Sequence, residues 1–299
     1  MALHHDYTDD APLNRHLTGN FARTVLLSFA GTLFLSADLL FSVQPMFTKM
    51  VLPLLGGTPA VWAVAMVFFQ GVLLLGYLYA RFITRYLNTK QAIVLHLGVM
   101  VAAFSFLPLS IATGWGQMPE TGEAFWLLGL FAVSVGFPFF ALAANAPLLQ
   151  SWFSKTNHPQ ADDPYFLYGA SNIGSFVALL SYPVFFEILL PLKAQTSLWA
   201  YGFGLLAVCV AVCGALLIKS QTRTFTQEKI DDAVEAPGVK ISWSERGAWI
   251  GLALIPSGLL IAVTSYISTD IAAAPFLWII PLSLFLLTFV ITFQRTPII

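Results

Sequence analysis

Asp38, Glu187 and Asp270 are acids set within or at the edges of long apolar runs, in a 299-residue chain that is only 10% charged. An aspartate at the centre of a membrane helix costs about 2.5–3.5 kcal/mol on insertion scales, so one that persists there has a partner or a task. Asp38 lies well inside its run, whereas Glu187 and Asp270 fall at run ends. The runs hold no lysine or arginine to match them, but Lys49 and Lys193 stand just outside and can fold back as partners. Two readings stay open. The acids form an outward-facing vestibule that attracts cations or carries protons. Alternatively, Glu187 and Asp270 are interfacial and wet, and Asp38 is held by a structural hydrogen bond from Gln44 or Gln70.

A second polar group gathers toward the opposite side. Asn145, beside Pro147, and Ser171, Asn172 and Ser175, flanked by Tyr165 and Tyr168, fall near the ends of two successive apolar runs. In an antiparallel helix pair Asn145 and Asn172 can face each other, either as glue between helices or as the lining of a solute path. The substrate or ion pathway candidates are therefore Asp38, Gln44, Gln70, Asn145, Tyr168, Asn172, Glu187 and Asp270. His96, near the start of its run, reads as an interfacial, solvated imidazole or as a proton relay. Cys209 and Cys213 read as small packing residues, and Ala170, Gly174 and Ala178 as a stripe for close helix approach. No residue set suggests a metal or a cofactor.

The elements that position these residues follow from composition. Hydrophobic residues make up 58% of the chain, and about half of its charges crowd into residues 1–23 and 219–246. These features exclude a soluble enzyme and a disordered chain, and a net charge of −1 leaves no basic footprint for nucleic acid. A bilayer-crossing helix needs about 20 mostly apolar residues. Eight such runs occur, near 24–47, 60–80, 92–113, 124–150, 165–190, 198–218, 247–268 and 275–294. They are continuous rather than alternating, so the expected fold is all-α: a polytopic bundle of about eight spans in a lipid bilayer. Its parts are a tail at 1–21, a six-span unit at 22–218, a polar linker at 219–245 and two further spans at 246–299. With both termini cytoplasmic, twelve of the fourteen lysines and arginines lie inside, and only Lys49 and Lys193 lie outside. Pro59-Ala60-Val61-Trp62 and Pro275-Phe276-Leu277-Trp278 open the second and eighth runs alike, a weak internal echo. Six spans followed by a cytoplasmic linker match the start of a major-facilitator bundle.

Several longer strings carry a resemblance. They are residues 43–62, opening Val43-Gln44-Pro45-Met46-Phe47; Phe69-Gln70 with Gly76-Tyr77-Leu78-Tyr79-Ala80; Asp163-Pro164-Tyr165-Phe166-Leu167-Tyr168-Gly169-Ala170-Ser171-Asn172; and Thr269-Asp270-Ile271 with Pro275 and Trp278. Together they resemble the bacterial fused proteins that join a major-facilitator-like membrane region to a spermidine-synthase-like domain. The resemblance implies a transporter-like protein of the bacterial inner membrane. It would move a cationic, polyamine-like solute, or a solute coupled to protons, through a cavity among spans one, two, four, five and seven. It also implies an alternative: an anchor for an aminopropyltransferase- or methyltransferase-type soluble domain or partner at the cytoplasmic face. The fused members continue into further spans and a catalytic domain. Nothing in residues 1–299 resembles that domain, so no enzyme activity is expected here, and the chain reads as a fragment or a stand-alone membrane half.

The basic-residue count gives a direct test. Cysteine labelling with an impermeant reagent is expected to place 81–91, 154–163 and 219–245 in the cytoplasm and 114–123 outside. Labelling of 219–245 from outside would overturn the orientation.

Overall fold

The computed structural model describes residues 19–55, 59–115, 119, 121–162, 164, 166–224, 242–267 and 279–292. Asp270, most of the tail at 1–21, most of the linker at 219–245 and the Pro275–Trp278 string lie outside them. The described residues are helical, with irregular connections and no strand. In chain order the helices are α1 (Gly19–Leu55), α2 (Pro59–Tyr86), α3 (Thr89–Phe104), α4 (Glu123–Phe131), α5 (Phe137–Phe153), α6 (Phe166–Ser181), α7 (Glu187–Leu189), α8 (Leu192–Thr224), α9 (Trp243–Tyr266) and α10 (Ile279–Thr292). Six stretches are long and apolar enough to cross a membrane: Gly19–Pro53, Ala63–Tyr86, Glu123–Phe153, Phe166–Leu189, Leu192–Ser220 and Trp243–Thr264.

Two of these spans are joined across a π-helical turn, Ala132–Gly136 between α4 and α5 and Tyr182–Phe186 between α6 and α7. Each turn holds or adjoins a proline, Pro138 or Pro183. A proline removes one rung of the hydrogen-bond ladder and crowds the carbonyl four residues back. The wider π turn gives the ring room without ending the helix.

The third run departs from expectation. Its helix opens earlier, at an Asn88–Gln91 capping box, and stops at Phe104. Sixteen residues span only about 24 Å, short of the ~30 Å hydrocarbon core. Pro108 disfavours helical backbone at the residue before it. The irregular segment that follows is tied to the fourth span, where the Ala112 N–H donates to Ser134 Oγ at 3.0 Å and Trp115 Nε1 donates to the Trp126 carbonyl at 3.2 Å.

The ends of the helices sort onto two faces. At one face Lys219 Nζ lies 5.4 Å from the ring centre of Phe21. There, too, the Asn157 N–H donates to Ser220 Oγ at 2.9 Å, and Asn157 Nδ2 donates to the Ser220 carbonyl at 3.2 Å. At the other face Lys49 Nζ meets Glu187 Oε1 at 2.9 Å. Lys49 is one of the two basic residues assigned to the outer side, and it does fold back onto an acid.

α1 is the hub, packed on α5, α6 and α8, while α2 lies along α5 and α3 along α8. Leu282 and Leu286 of α10 pack with Phe41 and Leu179, so α10 lies against α6. α9 sits beside α10 and leaves most of its apolar surface exposed. A phenylalanine knot joins α1, α2, α4 and α5. Phe131 contacts Phe47, Phe68 and Phe69 at centroid distances of 5.0, 5.3 and 5.7 Å, and Phe69 contacts Phe139 at 4.8 Å.

Two glycines let helix backbones approach closely. A Cβ on Gly174 of α6 would collide with the Phe34 carbonyl of α1, and one on Gly76 of α2 would lie 2.6 Å from Ala143 Cβ of α5. Gly174 thus serves as the small-residue contact expected of the 170–178 stripe. Gly174→Val is expected to cost about 1–3 kcal/mol through overpacking, read as a lower melting temperature in detergent. Gly169→Ala, where nothing lies within 4 Å, should melt near wild type; equal melting of the two variants would refute the close contact.

Candidate functional site

α1 presents two faces to two cavities. Leu33, Ser36, Ala37, Leu40 and Phe41 line the first, and Leu35, Asp38, Leu39, Ser42 and Met46 line the second. Both sets follow the 3.6-residue period of one helix.

The first cavity, of about 420 Å³, lies between α1, α2, α5, α6 and Leu286 of α10. Its polar lining is Ser36, Tyr77, Gln150, Tyr168, Ser171, Asn172 and Ser175. The side-chain amides of Gln150 and Asn172 have no hydrogen-bond partner among the described residues, so both present donors and acceptors to the cavity. Tyr168 and Asn172 are thus brought together as expected. The fifth wall comes from the eighth run, not the seventh, because α10 rather than α9 packs against α6.

Chain direction places the knot relative to this cavity. Along α1 the cavity residues 33–41 precede Phe47, and along α2 and α5 Phe68, Phe69 and Phe139 precede Leu73, Tyr77, Leu142 and Gln150. In each helix the knot lies toward the Lys49–Glu187 face, and the cavity toward the face of Lys219 and Asn157. The knot therefore lies on the Lys49–Glu187 side of the first cavity.

The remaining candidates disperse. Asn145 does not meet Asn172. It projects from the far side of α5, where His96 Nε2 lies 2.8 Å from its Oδ1. An amide oxygen only accepts, so Nε2 carries the proton in that pair. His96 is not interfacial: it is fully buried, two turns into α3, on the stripe of Ala92, Ile93, Met100 and Ala103 that faces the bundle. The rings of Tyr79 and Trp152 flank it at 6.0 and 6.4 Å. His96 Nδ1, Asn145 Nδ2, Tyr79 OH and Trp152 Nε1 are all buried without a partner among the described residues, which is the chemistry that buried water answers.

Gln44 and Gln70 do not hold Asp38. Gln44 Nε2 donates to the Leu40 carbonyl of its own helix at 3.3 Å, and Gln70 is exposed on α2. Glu187 is answered by Lys49 and joins neither cavity. Cys213 is buried, with Sγ 3.3 Å from Thr32 Oγ1, and both cysteines are free, which fits packing. No cluster of three or more metal-ligating side chains forms among the described residues.

Gln150 was missed although its position is periodic. Tyr168, Asn172 and Ser175 are spaced i, i+4, i+7, and Ala143, Ala146 and Gln150 are spaced i, i+3, i+7, so each set forms a lining stripe on one helix face. The His96–Asn145 pair bridges 49 positions and left no local signal.

No family model matches the chain, and no curated protein matches it. Neither comparison therefore supports the likeness to the fused family. The chain is a multi-pass helical membrane protein. Among solved structures, the POT family transporter PepTSo, crystallised in meso, superposes with a TM-score of 0.41 at 17% identity, covering 90% of this chain and 52% of that one. The chain thus spans about half the length of that transporter, and a superposition this loose carries no argument.

The buried pair gives a quantitative test. A double-mutant cycle of His96→Leu and Asn145→Leu is expected to show coupling of about 0.6–1.7 kcal/mol. The corresponding cycle of Asn145 with Asn172 should be additive, and the reverse outcome would restore the amide pair.

Proposed function

We propose that the chain is the membrane region of a transporter-like protein, with the first cavity as its solute chamber. The observation that carries this reading is a chamber into which Gln150 and Asn172 present amides that no described residue engages, with the phenylalanine knot standing to one side of it. An anchor needs helices and lipid contact; it gains nothing from a chamber of unpaired amides, each of which costs free energy unless water or a solute answers it. In this reading the knot and the Lys49–Glu187 bridge stand on the outer side of the chamber, and Arg81, Arg85 and Lys155 mark its cytoplasmic side. Asp38, on the adjacent face of the same helix and outside the chamber, is the acid that would serve a cationic solute or proton coupling, and the inner membrane is the natural site. The resemblance to the fused family implies a transporter-like region and leaves its solute open.

Accessibility tests the chamber without a known substrate. In a background with Cys209 and Cys213 replaced by alanine, Asn172→Cys and Gln150→Cys should react with a membrane-impermeant thiosulfonate applied to inside-out vesicles, and Phe47→Cys should be protected. Protection of all three positions from both sides would remove the chamber and favour an anchor that holds a soluble synthase-like partner.

A further inference from the structure

The second cavity, of about 350 Å³, lies between α1, the α6–α7 turn and α8. Asp38 reaches it from the middle of the 37-residue α1, roughly 25 Å or more from either helix end. That depth is far from the lipid headgroups.

Almost every polar atom around the carboxylate is already committed. The Tyr182 hydroxyl donates to Gln195 Oε1 at 3.0 Å, and Gln195 Nε2 donates to the Phe186 and Leu190 carbonyls at 3.1 and 2.9 Å. Trp199 Nε1 donates to the Leu39 carbonyl at 2.9 Å, and Ser42 Oγ to the same carbonyl at 3.2 Å. Asp38 is the one acid lining the cavity, and it makes no hydrogen bond or ion pair with any described residue. Lys49, the basic residue nearest in sequence on its helix, is engaged by Glu187.

The rest of the wall is apolar or aromatic, with the rings of Tyr182, Phe186 and Trp199 beside the acid. The rim lies on the outward face of α8, where Tyr201 and Leu205 are 78% and 57% exposed. In a bilayer that face meets hydrocarbon, so the mouth opens sideways into the membrane.

We propose that this cavity binds a lipophilic monocation, an apolar or aromatic body carrying one ammonium or phosphonium-type charge, which enters from the hydrocarbon and places its charge on Asp38. The charge is answered by a carboxylate that no described residue engages, and the rings lining the same cavity add cation–π attraction. The volume suits a ligand of drug size. A polyamine does not fit, because each further ammonium would enter an apolar cavity with no second acid to meet it. The inference rests on the cation clause of the reading above and not on the solute chamber.

Binding of radiolabelled tetraphenylphosphonium to the purified full chain in detergent, followed by scintillation proximity, tests it. Saturable binding is expected, displaced by tetrapropylammonium and not by spermidine. Asp38→Asn should weaken it about tenfold or more, the scale of losing one partner of a buried charge pair. Leu205→Trp, at an exposed rim position outside the core, should narrow the mouth and weaken binding severalfold, which keeps the test decisive if Asp38→Asn does not fold. No saturable binding, equal displacement by spermidine, or wild-type binding in both variants would each overturn the proposal. Because the chamber is read separately by labelling of Asn172→Cys, lost binding with intact labelling sinks this inference alone, and the reverse sinks the chamber alone.

Discussion

Every polar group carried into hydrocarbon must be answered from within the bundle, and that rule organises this structure. Backbone groups are answered by helices, including at Pro138 and Pro183, where the ladder widens to a π turn instead of breaking. Side chains follow the same rule at several places: Trp199 on the Leu39 carbonyl, Gln195 on the carbonyls of Phe186 and Leu190, and His96 on Asn145. These bonds fix which helices can be neighbours and at what height. The unanswered groups then stand out. Gln150 and Asn172 face one cavity, and Asp38 faces another.

The two cavities share α1 as a wall. A helix that separates a polar chamber from an apolar cavity cannot rotate without exchanging their linings. The 3.6-residue period that puts Ser36 and Asp38 on different faces therefore keeps an amide-rich space apart from an acid. The phenylalanine knot extends this division along the membrane normal. It stands on the Lys49–Glu187 side of the amide-bearing space.

Helix positions were legible from hydropathy because a span must be long, apolar and continuous. The fourteen basic residues give an expected sidedness, and the structure adds that Lys49, one of the two expected outside, pairs with Glu187. The third run misled because apolar residues continue to 113 while Pro108 prevents the helix from doing so. Asp38 stood out by its cost in a span, but the partners expected for it do not meet it. Gln44 lies six positions away, nearly two helical turns, and bonds its own backbone. Asn145 was assigned to Asn172 because their runs are successive. Which face of α5 each residue occupies depends on packing against α3, and α3 is too uniformly apolar for its own sequence to mark a face. Asn145→His96 pairing is a tertiary fact with no local trace.

The contact of Gly174 with the Phe34 carbonyl has a mechanical consequence. Most helix contacts are cushioned by side chains, which can change rotamer as helices slide. Here backbone meets backbone with no side chain between. Such a joint has little compliance to compression or shear, but it resists tilting weakly, because the surfaces touch over a small area. α1 and α6 are both walls of the amide-rich chamber. A rocking of one against the other about this fulcrum would open one end of the chamber as it narrowed the other, and the lever arms would be set by where along each helix the glycine falls.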